Sequence, residues 1–396
     1  MSPARAALEK LLRRGERARA RGASERASLA LTPATCPEYV ALATLAEVET
    51  FHAEIALAER AGAVTAERAR TGDALQRLWL ADLDRLGRHL DIDLLSDRAQ
   101  AAADALAPWS ASYSVIARLT AAWTEGRKVR GAGPEAAPDV LDAIAVVEAR
   151  RRDDAQERIL RRESIRLFGD SKRLERLTPW LDLLTGDELA ASGLDDEDVW
   201  AMLGLRREPQ PMLVAGHGIV RLHDAALPLC RPYLGLPVDA VRTIETSARY
   251  LLTIENLASF HDAARALPDA DGLLVYTAGM PSPAWRALYA RVLTALPAHA
   301  AVWHWGDIDE GGFRIAATLA TTAIEAGRHL RPWLMSPSAL PAGIVQAATP
   351  SPAQLAQMLR WARKTGWDDV AAELEQSPVR IEQEAIDPRF PGGDVA

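Results

Sequence analysis

The stretch Trp303-His304-Trp305-Gly306-Asp307-Ile308-Asp309-Glu310-Gly311-Gly312 decides how this chain is read. It reads as an apolar strand ending in Asp-x-Asp, then a double-glycine turn, then a helix. Two carboxylates at i and i+2 on a strand point to one face. Held side by side they repel unless a cation sits between them. Mg²⁺ takes hard oxygen ligands of this kind and keeps positions open for phosphate and water. Taken alone, the pair serves equally well as two solvated loop carboxylates.

Upstream, Tyr250-Leu251-Leu252-Thr253-Ile254-Glu255-Asn256 is a second apolar run that ends in a carboxylate. Residues 257–267 have helical spacing, and 272–279 are strand-like. Residues 283–296 are helical again, with Trp285, Leu288 and Val292 on one face. The run 301–309 follows, then a helix from about residue 312 to 326 and a short strand near 330–335. Strands alternating with helices of this length predict a parallel α/β sheet, with strands buried on both faces. Ligands collect at the carboxyl ends of such strands. Glu255, Asp307 and Asp309 all fall there, on one rim.

A glutamate closing the first strand and Asp-x-Asp closing a later one resemble a Toprim domain, the metal-binding module of topoisomerases, primases and some nucleases. Four segments narrow the resemblance: residues 253–260, 306–313 and 380–386 (Arg-Ile-Glu-Gln-Glu-Ala-Ile), with 167–175 upstream. Together they resemble the JetD subunit of Wadjet-type bacterial defence systems over roughly residues 160–390. JetD proteins are similar to the A subunit of topoisomerase VI. The resemblance implies a dimeric endonuclease, dependent on Mg²⁺ or Mn²⁺, that cuts plasmid DNA beside an SMC-like ATPase with kleisin-type subunits. The fold class expected is α+β multidomain, with a mostly helical, winged-helix-like N-terminal region and a C-terminal α/β Toprim domain built on a Rossmann-like parallel sheet.

Within that frame Asp307 and Asp309 are assigned as metal ligands. Glu255 is either a third ligand or the base that takes a proton from the attacking water. Glu382 and Glu384 lie two apart in an apolar frame; on a strand they would share a face, as a further ligand or as a dimer contact. Gly311 and Gly312 would let the backbone approach a phosphate, although a plain strand-to-helix turn also accounts for them. His304, by alternation, points opposite to Trp305 and Asp307 and reads as a packed core histidine rather than a catalytic one. Topoisomerase VI relatives attack DNA with a tyrosine in an Arg-Asp/Glu-x-Tyr-Tyr-like run. The nearest run here, Arg162-Glu163-Ser164-Ile165-Arg166, has Ile and Arg in the tyrosine places. Hydrolysis by water is therefore expected over a covalent intermediate. The competing readings are a topoisomerase- or recombinase-like transesterase, a Mn²⁺-dependent sugar-nucleotide transferase, and a non-catalytic DNA-binding Toprim protein.

A length of 396 residues predicts two or three domains. The expected division is 1–92 (winged-helix-like, DNA-binding), 93–205 (helical arm) and 206–396 (Toprim-like). In the first part the pattern predicts a helix over 4–22, a loop over 31–40 and a helix over 45–63. Strands are expected near 64–69 and 75–80 around a turn at Thr71-Gly72-Asp73, then a helix over 81–90. Residues 94–126 read as helical, 130–138 as a linker, and about 140–166 as a helix. Gly-Asp-Ser-Lys at 169–172 breaks that helix, with Asp170 or Ser171 capping the next one.

The net charge of −8 argues against a passive coat on DNA, because phosphate neutralisation drives nonspecific binding. Basic residues nevertheless cluster twice. The first cluster, from Arg5 to Arg26, includes Lys10, Arg13, Arg14, Arg17, Arg19 and Arg21. The second, from Arg150 to Arg176, includes Arg162, Lys172 and Arg173, and is interleaved with Asp153, Asp154, Glu157 and Glu163. Arg13, Arg14, Arg17, Arg162, Lys172 and Arg173 are the candidate DNA contacts. A solvated helix with i,i+4 ion pairs suits the second cluster as well. Two cysteines make neither a disulfide framework nor a zinc site. No apolar stretch is long enough for a bilayer, and the N-terminus leads into a charged helix without a signal-peptide core, so the cytoplasm is the expected location.

Overall fold

The computed structural model describes residues 2–20, 22, 27–69, 73–153, 156–267, 272–341 and 347–391. The chain forms two compact units, residues 1–141 and 142–396. Arg21, Arg26, Thr71, Gly72 and Asp154 of the sequence reading lie outside the described residues.

The first unit runs α1 (Pro3–Ala20), β1 (Ser28–Ala30), α2 (Pro37–Val40), α3 (Leu45–Arg60), β2 (Val64–Arg68), β3 (Leu75–Leu80), α4 (Leu83–Leu90), α5 (Leu95–Leu106) and α6 (Val115–Thr124). On α1 the buried positions Ala4, Ala7, Leu8, Leu11, Leu12 and Gly15 follow the 3.6-residue period. At Gly15 a Cβ would come within 2.4 Å of Leu80 Cδ2, so a glycine lets the helix lie close against β3. Helix α3 starts with a capping box, Thr44 and Glu47 each accepting from the other's backbone N–H. It buries Phe51 and Ile55 in a core with Leu11, Leu29 and Leu78. The three strands form an antiparallel sheet in the order β1-β3-β2.

Two expectations need correction in this stretch, and one strand was not expected. The loop read over 31–40 contains α2, started by Pro37. Strand β1, three residues long, carries too little periodicity to be read. The linker read over 130–138 is ordered: Arg130 (φ 52°) and Gly131 (φ 80°) make a tight turn, and Val129 bridges Ala132. Trp123 Nε1 donates to Ala132 O at 3.1 Å, and Pro134 and Ala136 are buried. A Gly-rich composition here encodes a turn with positive φ.

Helix α7 (Ala137–Arg151) follows, and the helix expected to run to residue 166 breaks. Arg150 donates to Leu203 O (2.9 Å) and Gln156 O (2.5 Å), which takes the chain out of the helical path. Residues Arg158–Ile159 then form β4, parallel to β5 (Leu205–Arg206). Between these strands lie α8 (Leu160–Phe168), α9 (Arg173–Gly186) and α10 (Asp196–Met202). The N-cap of α9 is Lys172 rather than Asp170 or Ser171; Asp170 Oδ1 holds the Lys172 N–H at 2.8 Å.

The remainder runs β6 (Met212–Gly216), β7 (Ile219–Leu222), β8 (Ala226–Pro228), β9 (Leu234–Leu236), β10 (Val241–Glu245), β11 (Tyr250–Ile254), α11 (Leu257–Ala266), β12 (Gly272–Tyr276), α12 (Pro283–Ala295), β13 (Ala301–Trp305), α13 (Glu310–Glu325), β14 (Leu330–Pro332), α14 (Pro352–Thr365) and α15 (Asp368–Gln376). Six strands make the main sheet in the order β14-β13-β11-β12-β6-β9. The first four are parallel, as the alternation predicts. The expectation of a wholly parallel sheet is corrected at one edge, where β6 and β9 add antiparallel. They come from the proline-rich segment before β11 and cover the free edge of β12. Strands β7, β8 and β10 form a separate antiparallel sheet. All five residues of β11 are buried, which explains its unbroken apolar run.

The antiparallel edge depends on Gly216. Its φ is +136°, and a Cβ there would lie 2.5 Å from the backbone carbonyl oxygen of Gly272, which cannot swing away. Gly216→Ala should destabilise the protein by about 2–4 kcal/mol, measured by urea unfolding. A loss below about 0.5 kcal/mol would contradict this account of the edge.

Candidate metal centre

Strands β11, β12 and β13 end in register: Ile254 pairs with Tyr276 on one side and Trp305 on the other. The chain therefore leaves three neighbouring strands at one level, and Glu255 and Gly306 emerge side by side. Glu255 N donates to Trp305 O at 3.1 Å, and Glu255 Oε2 accepts from Asp307 N at 3.3 Å. A Cβ on Gly306 would lie 2.3 Å from Glu255 Oε2, so the glycine makes room for the carboxyl.

The Asp-x-Asp pair does not sit on a strand. β13 stops at Trp305, and α13 begins at Glu310, two residues earlier than expected. Asp309 is the N-cap of α13, its Oδ1 accepting from Gly312 N at 2.8 Å. Its Oδ2 lies 3.7 Å from Arg380 Nη2. Asp307 lies in the turn before it. A Cβ on Gly312 would meet Asp307 O at 2.2 Å, so this glycine lets the first turn of α13 close onto Asp307. Gly311 has only ordinary contacts, the nearest to Asp309 Oδ1 at 3.4 Å.

Glu382 and Glu384 reach the same rim, though not on a strand as expected. Arg380 bridges Ala348 and Ile381 bridges Ile308; the chain then turns through a 3-10 turn over Gln383–Ala385. The cause is Gln383, which is fully buried. Its N–H donates to Asp307 Oδ1 (2.6 Å), its Nε2 donates to Trp305 O (2.9 Å), and its Oε1 accepts from Asn256 N (2.7 Å). Asn256 Nδ2 in turn donates to Glu384 Oε1 at 2.6 Å, while Asn256 Oδ1 caps α11. The result is that Asp307, Glu382 and Glu384 each offer a carboxylate oxygen within 4.8 Å of the others. Glu255 joins them through the backbone of Asp307. Asp309 stands at the adjacent helix cap.

Burial, followed by the charges of Asp307, Asp309 and Asp198, pushes the Glu255 carboxyl well above its usual range. Burial also raises Asp307, to about 7; the Gln383 N–H opposes this, and Asp309, Glu382 and Glu384 add to it. Asp198 is raised to about 6, chiefly by burial, although Met280 N donates to it at 2.6 Å. Sequence reasoning missed Gln383 and Asp198. Gln383 carries no charge. Asp198 stands in the Asp-Asp-Glu-Asp start of α10, which reads as a helix N-terminus, and Asp195 does cap that helix. His304 is fully buried; burial holds its pKa down at about 3, so the ring stays neutral.

The candidate DNA contacts divide between the two units. Arg13, Arg14 and Arg17 are exposed on α1 of the first unit, and Arg14 donates to Ser28 O at 2.7 Å. Arg13 and Arg17 have no ion-pair partner among the described residues. Arg162 and Lys172 are exposed in the second unit, whereas Arg173 is tied to Asp142 at 2.6 Å. Much of the second cluster is internally paired: Arg158 with Asp153, Arg166 with Glu163, and Arg176 with Asp170.

The raised Asp307 gives a sign that can be checked. A carboxyl with a pKa of about 7 folded and about 3.9 unfolded binds more protons in the native state between those values. Stability of the metal-free protein should then fall as pH rises from about 4 to about 7. Asp307→Asn removes that penalty and leaves an oxygen for the Gln383 N–H. In EDTA the variant should melt above the wild type at pH 8, with the gap closing towards pH 5. A gap that does not change with pH would contradict the assignment.

No curated protein matches the chain. A family model described as Wadjet protein JetD, C-terminal, matches residues 213–390. The matched stretch holds Glu255, Asp307, Asp309, Glu382, Gln383 and Glu384, that is, every group of the rim apart from Asp198. Over residues 213–390 the chain is similar to the C-terminal part of the JetD proteins of Wadjet systems.

Proposed function

We propose that the chain is the metal-dependent endonuclease subunit of a Wadjet-type anti-plasmid defence complex, and that it hydrolyses phosphodiesters of plasmid DNA. One observation carries the reading: Asp307, Glu382 and Glu384 converge within 4.8 Å at the carboxyl edge of parallel strands, beside Glu255. Position and residue types support a Toprim-like domain over 206–396, with the glutamate after β11 and Asp-x-Asp after β13. In the first unit, the order α1-β1-α2-α3-β2-β3 with its small antiparallel sheet supports the winged-helix-like reading.

The donor set suits Mg²⁺ or Mn²⁺: all hard oxygens, and a cluster whose mutual repulsion a cation would relieve. Asp307, Glu382 and Glu384 would hold the ion, with Asp309 and Glu255 as further ligands. A bound ion would activate water and neutralise charge on the leaving oxygen. Glu255, if not a ligand, is placed to take the water's proton. Arg13, Arg14, Arg17, Arg162 and Lys172 would meet DNA phosphates, and Arg173 would do so only on leaving Asp142. In the run 162–166, the Ser164 hydroxyl donates to Asp170 O at 2.5 Å and Ile165 stands in a tyrosine place, which favours attack by water over a covalent link. The likeness of residues 213–390 to JetD proteins further supports a homodimer working in the cytoplasm with an SMC-like ATPase and kleisin-type subunits.

The test is cleavage of a circular plasmid in Mg²⁺ or Mn²⁺, with and without the partner subunits and ATP. Wild type should leave free DNA ends. Glu255→Gln and Asp307→Asn should each cut at least about 10²-fold more slowly. Protein-linked ends would favour a topoisomerase-like transesterase. Intact plasmid with all partners present would sink the nuclease and leave a DNA-binding Toprim protein.

A further inference from the structure

His304 is a buried polar group beside the rim that the proposed chemistry does not use. It is fully buried on β13, three residues before Asp307. Its Nδ1 lies 2.9 Å from Thr253 Oγ1, and that hydroxyl lies 3.1 Å from Trp303 O. A carbonyl oxygen only accepts, so the Thr253 proton goes to Trp303. Nδ1–H of His304 then donates to Thr253, which leaves a lone pair on Nε2. Nε2 has no hydrogen-bond partner among the described residues. A buried polar atom left in that state is costly, and an apolar side chain would fill the position without the penalty.

Gly306 indicates what Nε2 faces. Its backbone is not left-handed, so no turn geometry demands a glycine. A Cβ there would meet two atoms: Glu255 Oε2 at 2.3 Å and His304 Nε2 at 2.9 Å. The two therefore lie over the same bare Cα, no more than about 5 Å apart. Oε2 already accepts from Asp307 N and Nε2 carries a lone pair, so both are acceptors and need a donor between them. A water is the smallest group that donates twice.

We infer that His304 is a positioning residue that fixes the Glu255 carboxyl through one bridging water, with Gly306 keeping the space open. Glu255 Oε2 is then held from two sides, by Asp307 N–H and by that water. Oε1 is the oxygen left for a cation or for an attacking water. The inference rests on the metal-centre reading for its consequence, but the linkage itself can be tested without metal.

Two substitutions separate the ring's two nitrogens. His304→Gln places an acceptor near Nε2; His304→Asn keeps only a partner for Thr253. Gly306→Ala places a methyl against both the Glu255 carboxyl and His304 Nε2, and circular dichroism and melting check that the fold survives it. On the full chain, Mn²⁺ binding by calorimetry should weaken about tenfold or more in His304→Asn and Gly306→Ala, and stay within about threefold of wild type in His304→Gln. With partner subunits, kcat for plasmid cleavage should follow the same order while KM for DNA stays level. Equal losses in the Asn and Gln variants would overturn the inference and leave His304 as packing. In metal-free protein, ¹⁵N-histidine spectra should give His304 an unprotonated Nε2 whose resonance moves in Glu255→Gln. An unmoved resonance would overturn the linkage whether or not the protein cuts DNA. Failure of wild type to cut with this linkage intact would count against the nuclease alone.

Discussion

Like charges at one sheet edge are the constraint around which the second unit is arranged. Glu255, Asp307 and Asp309 sit within one turn of three adjacent strand and helix ends, and Glu382 and Glu384 come to them from the far end of the chain. Desolvation and mutual repulsion both oppose ionisation there. Without a cation, backbone N–H groups carry the compensation: Asp307 N to Glu255, Gln383 N to Asp307, and Gly312 N to Asp309. Each comes from a turn or a helix start, where N–H groups are free of ladder bonding. The carboxyl edge of a parallel sheet supplies such ends in one place, which is why these acids can gather there and nowhere along the strands.

Gln383 converts that edge into a closed site. One uncharged side chain ties the end of β13, the start of α11 and Asp307. Because it is buried and satisfied on both faces of its amide, its neighbours at 382 and 384 are turned outward to the rim. An acidic residue at 383 would add to the repulsion, and an apolar one would leave Asn256 N and Trp305 O unpaired. The two glutamates thus owe their convergence with Asp307 to a residue that contributes no ligand.

Much of this was legible in the sequence, and the reasons for the gaps are specific. β11, α11, β12, α12, β13 and α13 stand within a few residues of their expected limits because a strand buried on both faces writes itself as an unbroken apolar run. Glu255 and Asp307 are placed at strand ends by the same logic. The antiparallel partners β6 and β9 are hidden because prolines flank short runs there, and pairing direction leaves no trace in periodicity. The strand read for 379–386 fails because two glutamates two apart between apolar residues also suit a bridge followed by a 3-10 turn when the intervening glutamine is drawn inward. Arg150 breaks a helix that composition would continue, through carbonyls that are distant in sequence. Long-range hydrogen bonds to backbone are the common element of these misses.

The glycines around the Asp-x-Asp sharpen the point. The doublet at 311 and 312 invites a phosphate-loop reading, yet the two positions differ. Gly312 is fixed by the carbonyl of Asp307 at 2.2 Å and belongs to the closing of α13. Gly311 touches nothing closely and is the one whose backbone stays open to approach. Gly306, which looked like the mere end of a strand, is the one pressed between two functional groups. A motif's spacing records where a glycine stands; what a Cβ would strike there separates backbone fit from room for a carboxyl.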